Sequence, residues 1–353
     1  MIPLMRIVVD NKIPYIREAL AGITPDVTYL PAAEFTSETV RDADALIIRT
    51  RTHCDRHLLE GSRVRFIATA TIGFDHIDTD YCREAGICWQ NAPGCNSGSV
   101  EQYMESVLLL LARHLHKDLS QLTLGVVGVG HVGSRVVRMA QEHHMQVLRN
   151  DPPLEDAGAE GPFYSLNQLA EQCDIITFHV PLIRSGKYST YHLADSEFFA
   201  KLKRKPVIIN TSRGPVVHNG ILFDALNQGS ITQAVIDVWE NEPNIHPELL
   251  QKVFLGTPHI AGYGADGKCL ATRMALDALC RFYHLDAHYS IVPPVPEGGL
   301  TLEATDTDEA LLKMYDPRTD SDALKAHPEL FEHFRGAYPI RREKEAYHIS
   351  YTK

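Results

Sequence analysis

Six short apolar runs, spaced by segments long enough for helices, constrain this chain more than any other feature. They are "LTLGVVGVG" (122–130), "MQVLRND" (145–151), "CDIITFHVP" (173–181), "PVIINTS" (206–212), "QAVIDVW" (233–239) and "VFLGTPH" (253–259). Strands that alternate with helices build a parallel sheet with helices on both faces. Their near-continuous hydrophobicity fits strands buried on both sides. Residues 1–97 repeat the pattern with "MRIVVD", "DVTYLP", "ADALIIRT", "VRFIATATIG" and "GICWQNAP" as strands and "IPYIREALAG" as a helix. The segment "SVEQYMESVLLLLARHLHK" (99–117) has apolar residues at 100, 103, 104, 107, 108 and 111, which is helical spacing. A second long helix is expected over 265–284, returning to pack on the first lobe. From about 290 the sequence turns polar and less regular.

At 353 residues the chain suits two or three domains. No apolar run approaches the ~20 residues of a membrane-spanning helix. The N-terminus, with Arg6 and Asp10 in or beside its apolar stretch, lacks a cleavage pattern, so a signal peptide is not expected. Seven cysteines without a CxxC point to a reducing cytoplasm and away from a disulfide scaffold or zinc site. A net charge of −11 argues against a nucleic-acid partner. It also requires that any anionic ligand be held by a local group of cations. Most of the 18 histidines, His143 and His144 among them, read as solvated surface residues.

The run "GVGHVG" fits GxGxxG: Gly128, Gly130 and Gly133, with His131 and Val132 between the last two. It follows a strand, opens a helix, and Asp151 lies 18 residues beyond its last glycine. Such glycines allow a tight turn and close approach of a pyrophosphate to the helix N-terminus. Asp151 could accept hydrogen bonds from adenosine ribose hydroxyls and would repel a 2′-phosphate, which favours NAD over NADP. Arg149 weighs the other way. A similar loop also serves methyltransferases.

Three fragments bear on that choice. "NTSRG" carries Arg213, "DVWENEP" carries Asp237 and Glu242, and "GTPHIAGYG" carries His259. Each follows an apolar strand, and open parallel sheets bind ligands outside the carboxyl ends of their strands. Taken alone, Arg213 could be a surface residue paired with Glu197 or Asp224, and His259 a turn residue.

Together these fragments resemble the D-2-hydroxyacid dehydrogenase family, over roughly residues 5–285. The further details "TATIGFDHID", "APGCN", "DPP" and "GTPHIAGY" look like its branch acting on a phosphorylated four-carbon 2-hydroxy acid on the route to vitamin B6. The resemblance implies an α/β fold of two doubly wound parallel-sheet lobes. A flavodoxin-like substrate lobe would span 1–98, completed by 262–288. A Rossmann NAD lobe would span 99–261, and a small C-terminal module 289–353. NAD is the implied cofactor and a homodimer the implied assembly, with no nucleic acid or membrane as partner. Arg213 would fork onto the substrate carboxylate and 2-oxygen, a planar task for a guanidinium. His259 would exchange the hydroxyl proton and Glu242 would orient the imidazole and raise its pKa. Asp237 and Gly262 would lie at the nicotinamide. Thr50, Thr71 and Tyr263 match substrate-binding positions, and Arg49, with Arg51, would add positive charge for the phosphate.

Three departures from the family pattern stand out. Val180 replaces a frequent threonine, Arg51 stands where an apolar residue is usual, and the tail reads as a shortened dimerisation module. Arg341 and Arg342 could reach a partner's site. Dehydrogenases of other D-2-hydroxy acids, glycerate or phosphoglycerate, are the nearest alternative. A binding protein that senses NADH is another, though it would have no need for Arg213, Glu242 and His259 together.

Overall fold

The computed structural model describes residues 5–352, and these fall into two units. The first comprises the chain up to Asn96 together with Gly264–Pro294. The second comprises Ser97–Tyr263 and the residues from Val295 onward.

In the first unit, β1 (Ile7–Asp10), β2 (Val27–Leu30), β3 (Ala45–Ile48), β4 (Phe66–Thr69) and β5 (Cys88–Gln90) form one parallel sheet in the order β2-β1-β3-β4-β5. Strands β1, β3 and β4 are buried at every position because helices cover both faces. The helix Ala265–Tyr283 packs here through Cys269, Ala275, Leu276 and Leu279, so this unit is discontinuous in sequence. The strand order reverses between β1 and β3, the position at which folds of this order form a ligand crevice.

The second unit holds β6 (Thr123–Val127), β7 (Gln146–Asn150), β8 (Ile175–Phe178), β9 (Val207–Asn210), β10 (Gln233–Ile236) and β11 (Leu255–Gly256). They pair in parallel in the order β11-β10-β9-β8-β6-β7, so the reversal lies at β6. The helix Ser97–Leu115 begins this unit, and fifteen of its residues from Ser97 to Leu111 are buried. Burial on every side, with Glu101, Gln102 and Glu105 among the buried residues, marks a helix enclosed by its neighbours.

Residues 295–352 are more regular than their composition suggested. They form β12 (Thr301–Ala304) and β13 (His348–Tyr351), paired in parallel, and helices at Thr307–Met314, Pro317–Ala326 and Phe331–Gly336. By contact this segment belongs to the second unit rather than standing apart from residue 289 on. Ala310, Leu311, Met314 and Tyr315 join the core around the Ser97–Leu115 helix. Leu324 and Phe331 join the core on the other face of the six-stranded sheet. His143, expected as a solvated residue, instead pairs its Nε2 with Glu105 Oε1 at 3.0 Å, and Lys344 reaches the other oxygen of that carboxylate at 3.1 Å. Among the described residues no helix is long and apolar enough to cross a membrane.

Leu324 is fully buried in the core of the second unit. Leu324→Ala is therefore expected to cost about 2–5 kcal/mol, as a large-to-small core change does. Urea unfolding followed by circular dichroism checks this, and the transition of the six-stranded sheet should shift with it.

Candidate functional site

The glycine loop forms where β6 ends. Gly128 has φ +85°, and a Cβ there would lie 2.7 Å from the His179 carbonyl oxygen and from the Val180 side chain. At Gly133 a Cβ would come within 1.9 Å of the Gly128 carbonyl oxygen. Neither contact is tolerable, so both positions require glycine. The result is a backbone drawn tightly around the first turn of the helix His131–Glu142, whose N-cap residue Gly130 offers no side-chain cap. The amides of that turn are left for an incoming anion, which the helix dipole also favours.

Asp151 follows β7. Its Oδ2 accepts from the Val129 amide at 2.7 Å and its Oδ1 from the Leu154 amide at 3.1 Å. The carboxylate thus ties the glycine loop to the end of the neighbouring strand while remaining partly exposed. Arg149 turns elsewhere: its guanidinium lies 5.1 Å from the Phe163 ring and donates to the Pro162 carbonyl at 3.4 Å. The cation that weighed towards a 2′-phosphate is therefore engaged with the 162–163 segment.

The residues after β9, β10 and β11 are joined by a chain of contacts. Asn210 holds the "NTSRG" turn: its Oδ1 accepts from the Ser212 amide and hydroxyl, and its Nδ2 donates to the Arg213 carbonyl at 2.9 Å. A Cβ on Gly214 would meet the Trp239 carbonyl oxygen at 1.8 Å, so the Arg213 turn lies directly against the backbone at Trp239. The Trp239 amide donates to Glu242 Oε1 at 2.8 Å, and His259 Nδ1 donates to Glu242 Oε2 at 2.8 Å. The proton on Nδ1 leaves Nε2 as the nitrogen that can exchange a proton. Burial pushes the Glu242 pKa up, but the His259 charge and hydrogen bond, the Trp239 amide and the nearby Arg335 together bring it below the usual carboxylate value. Glu242 therefore stays ionised beside the imidazole.

Asp237 lies just past the end of β10. Its carboxylate is buried and both oxygens are occupied: Oδ1 accepts from the Thr257 hydroxyl and the Ile260 amide, each at 2.7 Å, and Oδ2 from the Ala261 amide at 3.1 Å. These are internal contacts of the turn that carries His259, so its carboxylate holds that turn. Gly262 and Tyr263 follow in the same turn, and the Tyr263 ring meets the Tyr338 ring edge-on at 5.8 Å. Arg341 differs from expectation. It is 4% exposed and donates to the Ala261 carbonyl at 2.5 Å within its own chain, which leaves it unable to reach a partner's site.

In the first unit Arg49 follows β3 and forks onto Asp10 at the end of β1, with Nε–Oδ2 3.0 Å and Nη2–Oδ1 3.2 Å. This bidentate pair spans the point where the strand order reverses and gives the fully buried Asp10 its countercharge. Thr50 and Arg51 lie exposed in the turn beyond it. Thr71 follows β4. Its hydroxyl donates to the Gly73 carbonyl at 3.0 Å and lies 2.6 Å from the Thr69 hydroxyl, which in turn lies 3.1 Å from His76 Nε2. With the Thr71 proton on Gly73, Thr69 donates to Thr71 and His76 donates to Thr69.

Sequence reasoning passed over His76, Thr69, Thr257 and His179. His179 lies between the hydroxyls of Thr177 (3.0 Å) and Thr211 (3.2 Å), beside the glycine loop. Only its place just after an apolar strand could have marked it. Burial lowers the pKa of His76 to about 4 and of His179 to about 3. Both are neutral when folded, whereas in the unfolded chain an ordinary histidine takes up a proton near pH 6.5. Below that pH the unfolded state binds more protons, so stability is lost as pH falls from about 6.5 towards 4. The urea midpoint should drop over that window, with a shallower drop for His76→Gln.

Residues 101–261 match the family described as D-isomer specific 2-hydroxyacid dehydrogenase, NAD binding domain. Over 345 residues the chain is 61% identical to the erythronate-4-phosphate dehydrogenase of Bacteroides thetaiotaomicron, which covers 98% of this chain and 99% of that one. The enzyme of the same name from Porphyromonas gingivalis is 40% identical, covering 98% and 95%. Among solved structures, the NAD+-bound 3-phosphoglycerate dehydrogenase of Entamoeba histolytica is similar at a TM-score of 0.66 and 25% identity, covering 80% of this chain and 96% of that one. The chain belongs to the erythronate-4-phosphate dehydrogenases, within the D-isomer-specific 2-hydroxyacid dehydrogenase family.

Proposed function

We propose that this protein oxidises 4-phospho-D-erythronate to the corresponding 2-oxo-4-phosphate acid with NAD, a step in pyridoxal phosphate biosynthesis. The observation that carries the reading is the 2.8 Å contact between Glu242 and His259, on a turn adjoining Arg213, in a chain so similar over its whole length to enzymes of that name. The tight glycine turn, the uncapped helix start and the Asp151 carboxylate fit a dinucleotide with free ribose hydroxyls. When bound, NAD supplies the hydride acceptor.

The protein's own groups do the rest. The Arg213 guanidinium forks onto the substrate carboxylate and 2-oxygen, fixing the carbon that loses hydride. His259 Nε2 takes the hydroxyl proton as the C–H bond breaks, and returns it in the reverse direction. Glu242, ionised, keeps the ring oriented through Nδ1 and stabilises the imidazolium that forms. Asp237 acts by holding the backbone on either side of these groups. Thr50, Thr71 and Tyr263 bind the substrate, and Arg51 contributes charge for its phosphate. Arg49 serves by fixing this turn against Asp10. The enzyme works in the cytoplasm as a homodimer.

A panel of D-2-hydroxy acids with and without a terminal phosphate tests the substrate, following formation of the 2-oxo product. 4-Phosphoerythronate should be turned over fastest. Equal rates with glycerate would remove the phosphate assignment. His259→Ala should lower turnover by ~100-fold or more while leaving the NAD dissociation constant nearly unchanged. A parallel loss of both would make His259 structural.

A further inference from the structure

The turn from His259 to Tyr263 carries the proton-transfer residue, yet its hydrogen bonds are not mainly its own. Asp237 takes the amides of Ile260 and Ala261. The carbonyls of the same two residues point the other way, and both meet one side chain from the far end of the sequence. Arg341 Nη2 lies 2.5 Å from the Ala261 oxygen, 3.3 Å from the Ile260 oxygen and 3.4 Å from the Ser99 oxygen. Its guanidinium stacks 4.3 Å from the Tyr315 ring, with Tyr338 at 5.7 Å, so the charge is walled in by aromatic faces.

We propose that Arg341 is a positioning residue for the dehydrogenase reaction, acting on His259 through the backbone of Ile260 and Ala261 in opposition to Asp237. A buried carboxylate and a buried guanidinium thus pair across two peptide groups rather than directly. The Asp237 charge offsets part of the cost of burying Arg341, and the peptides between them are held at both poles. Because His259 itself has φ +58°, a region unfavourable for a residue with a side chain, the turn needs such external hold to keep the ring on Glu242.

A second arginine of the same segment supports the same role for residues beyond 330. Arg335 is part-buried, donates to Glu332 at 3.1 Å, and lies 5.9 Å from the Tyr263 ring, next in the turn. Its charge is among those that lower the Glu242 pKa. Arg341 touches no reacting atom and is not a catalytic residue. Its effect is geometric, and small displacements of a proton-transfer group are costly: about 1 Å of misplacement can lower a rate on the order of 100-fold.

The inference rests on the dehydrogenase reading above, and one set of measurements separates the two. Wild-type enzyme is assayed with NAD and 4-phosphoerythronate, and no turnover there would sink that reading itself. With wild-type turnover in hand, Arg341→Met is expected to lower kcat per folded site by roughly 10- to 100-fold with the NAD dissociation constant, read by calorimetry, unchanged. Arg341→Lys, which keeps the charge and stem but loses the planar fork, should fall between the two. An unchanged kcat per site in Arg341→Met overturns the inference, as does a loss of NAD affinity in proportion to kcat. If Arg341→Met does not fold, Arg341→Lys decides: wild-type kcat per site overturns the proposal, and a lowered kcat with wild-type NAD affinity upholds it.

Discussion

One buried carboxylate, Asp237, organises the chemistry of this protein. It ends β10, and its oxygens gather the Thr257 hydroxyl and the amides of Ile260 and Ala261, all of which follow β11. Without that capture the short strand β11, only two residues long, would have little to direct the chain that leaves it. Thr257 can donate to Asp237 because it accepts in turn from the Tyr103 hydroxyl at 2.9 Å, a residue of the Ser97–Leu115 helix. The position of His259 is therefore decided by a relay that begins on a helix more than a hundred residues earlier. Burial pushes the Asp237 pKa up, and the His259 charge, Thr257 and the two amides oppose this without cancelling it. A carboxylate so well supplied with donors is a structural fastening.

The same economy of charge recurs in the other unit. Overall the chain carries −11, a field that repels anionic ligands. Arg49 does little to offset this locally, since Asp10 accepts from two of its nitrogens. A positive feature of a different kind is the set of backbone amides at the start of the His131–Glu142 helix, which no side chain caps. Fixed dipoles need no rearrangement as a ligand arrives, so a glycine turn can serve where a lysine patch would have been solvated and mobile.

Much of this was legible from residue order. "GVGHVG" after a strand implied a tight turn, and the collisions a Cβ would make at Gly128 and Gly133 supply the reason. "NTSRG", "DVWENEP" and "TPHIAGY" were recognisable because each places a polar group just past an apolar strand. The Glu242–His259 contact followed as an expectation from their co-occurrence. Less legible were the internal partners of the charged residues. Asp237 and Arg341 face backbone, and Arg49 faces Asp10, because a buried charge binds whatever partner the packing supplies first. The tail was the least legible part. Its helices are short, and β12 pairs with β13 across more than forty residues, a separation no local pattern encodes.

Sequence by itself determined the class of fold, the run of strands and helices, and which polar groups stand at the strand ends, since periodicity and strand-end chemistry are local properties of the chain. Tertiary structure alone decided which buried charges meet. Tyr103, Asp237 and Arg341 converge from three distant stretches of chain on the one turn that begins at Thr257. Hydrogen bonds of buried groups must be completed by whatever the folded interior brings within 3 Å or so, and that neighbourhood exists only after the sheet has formed.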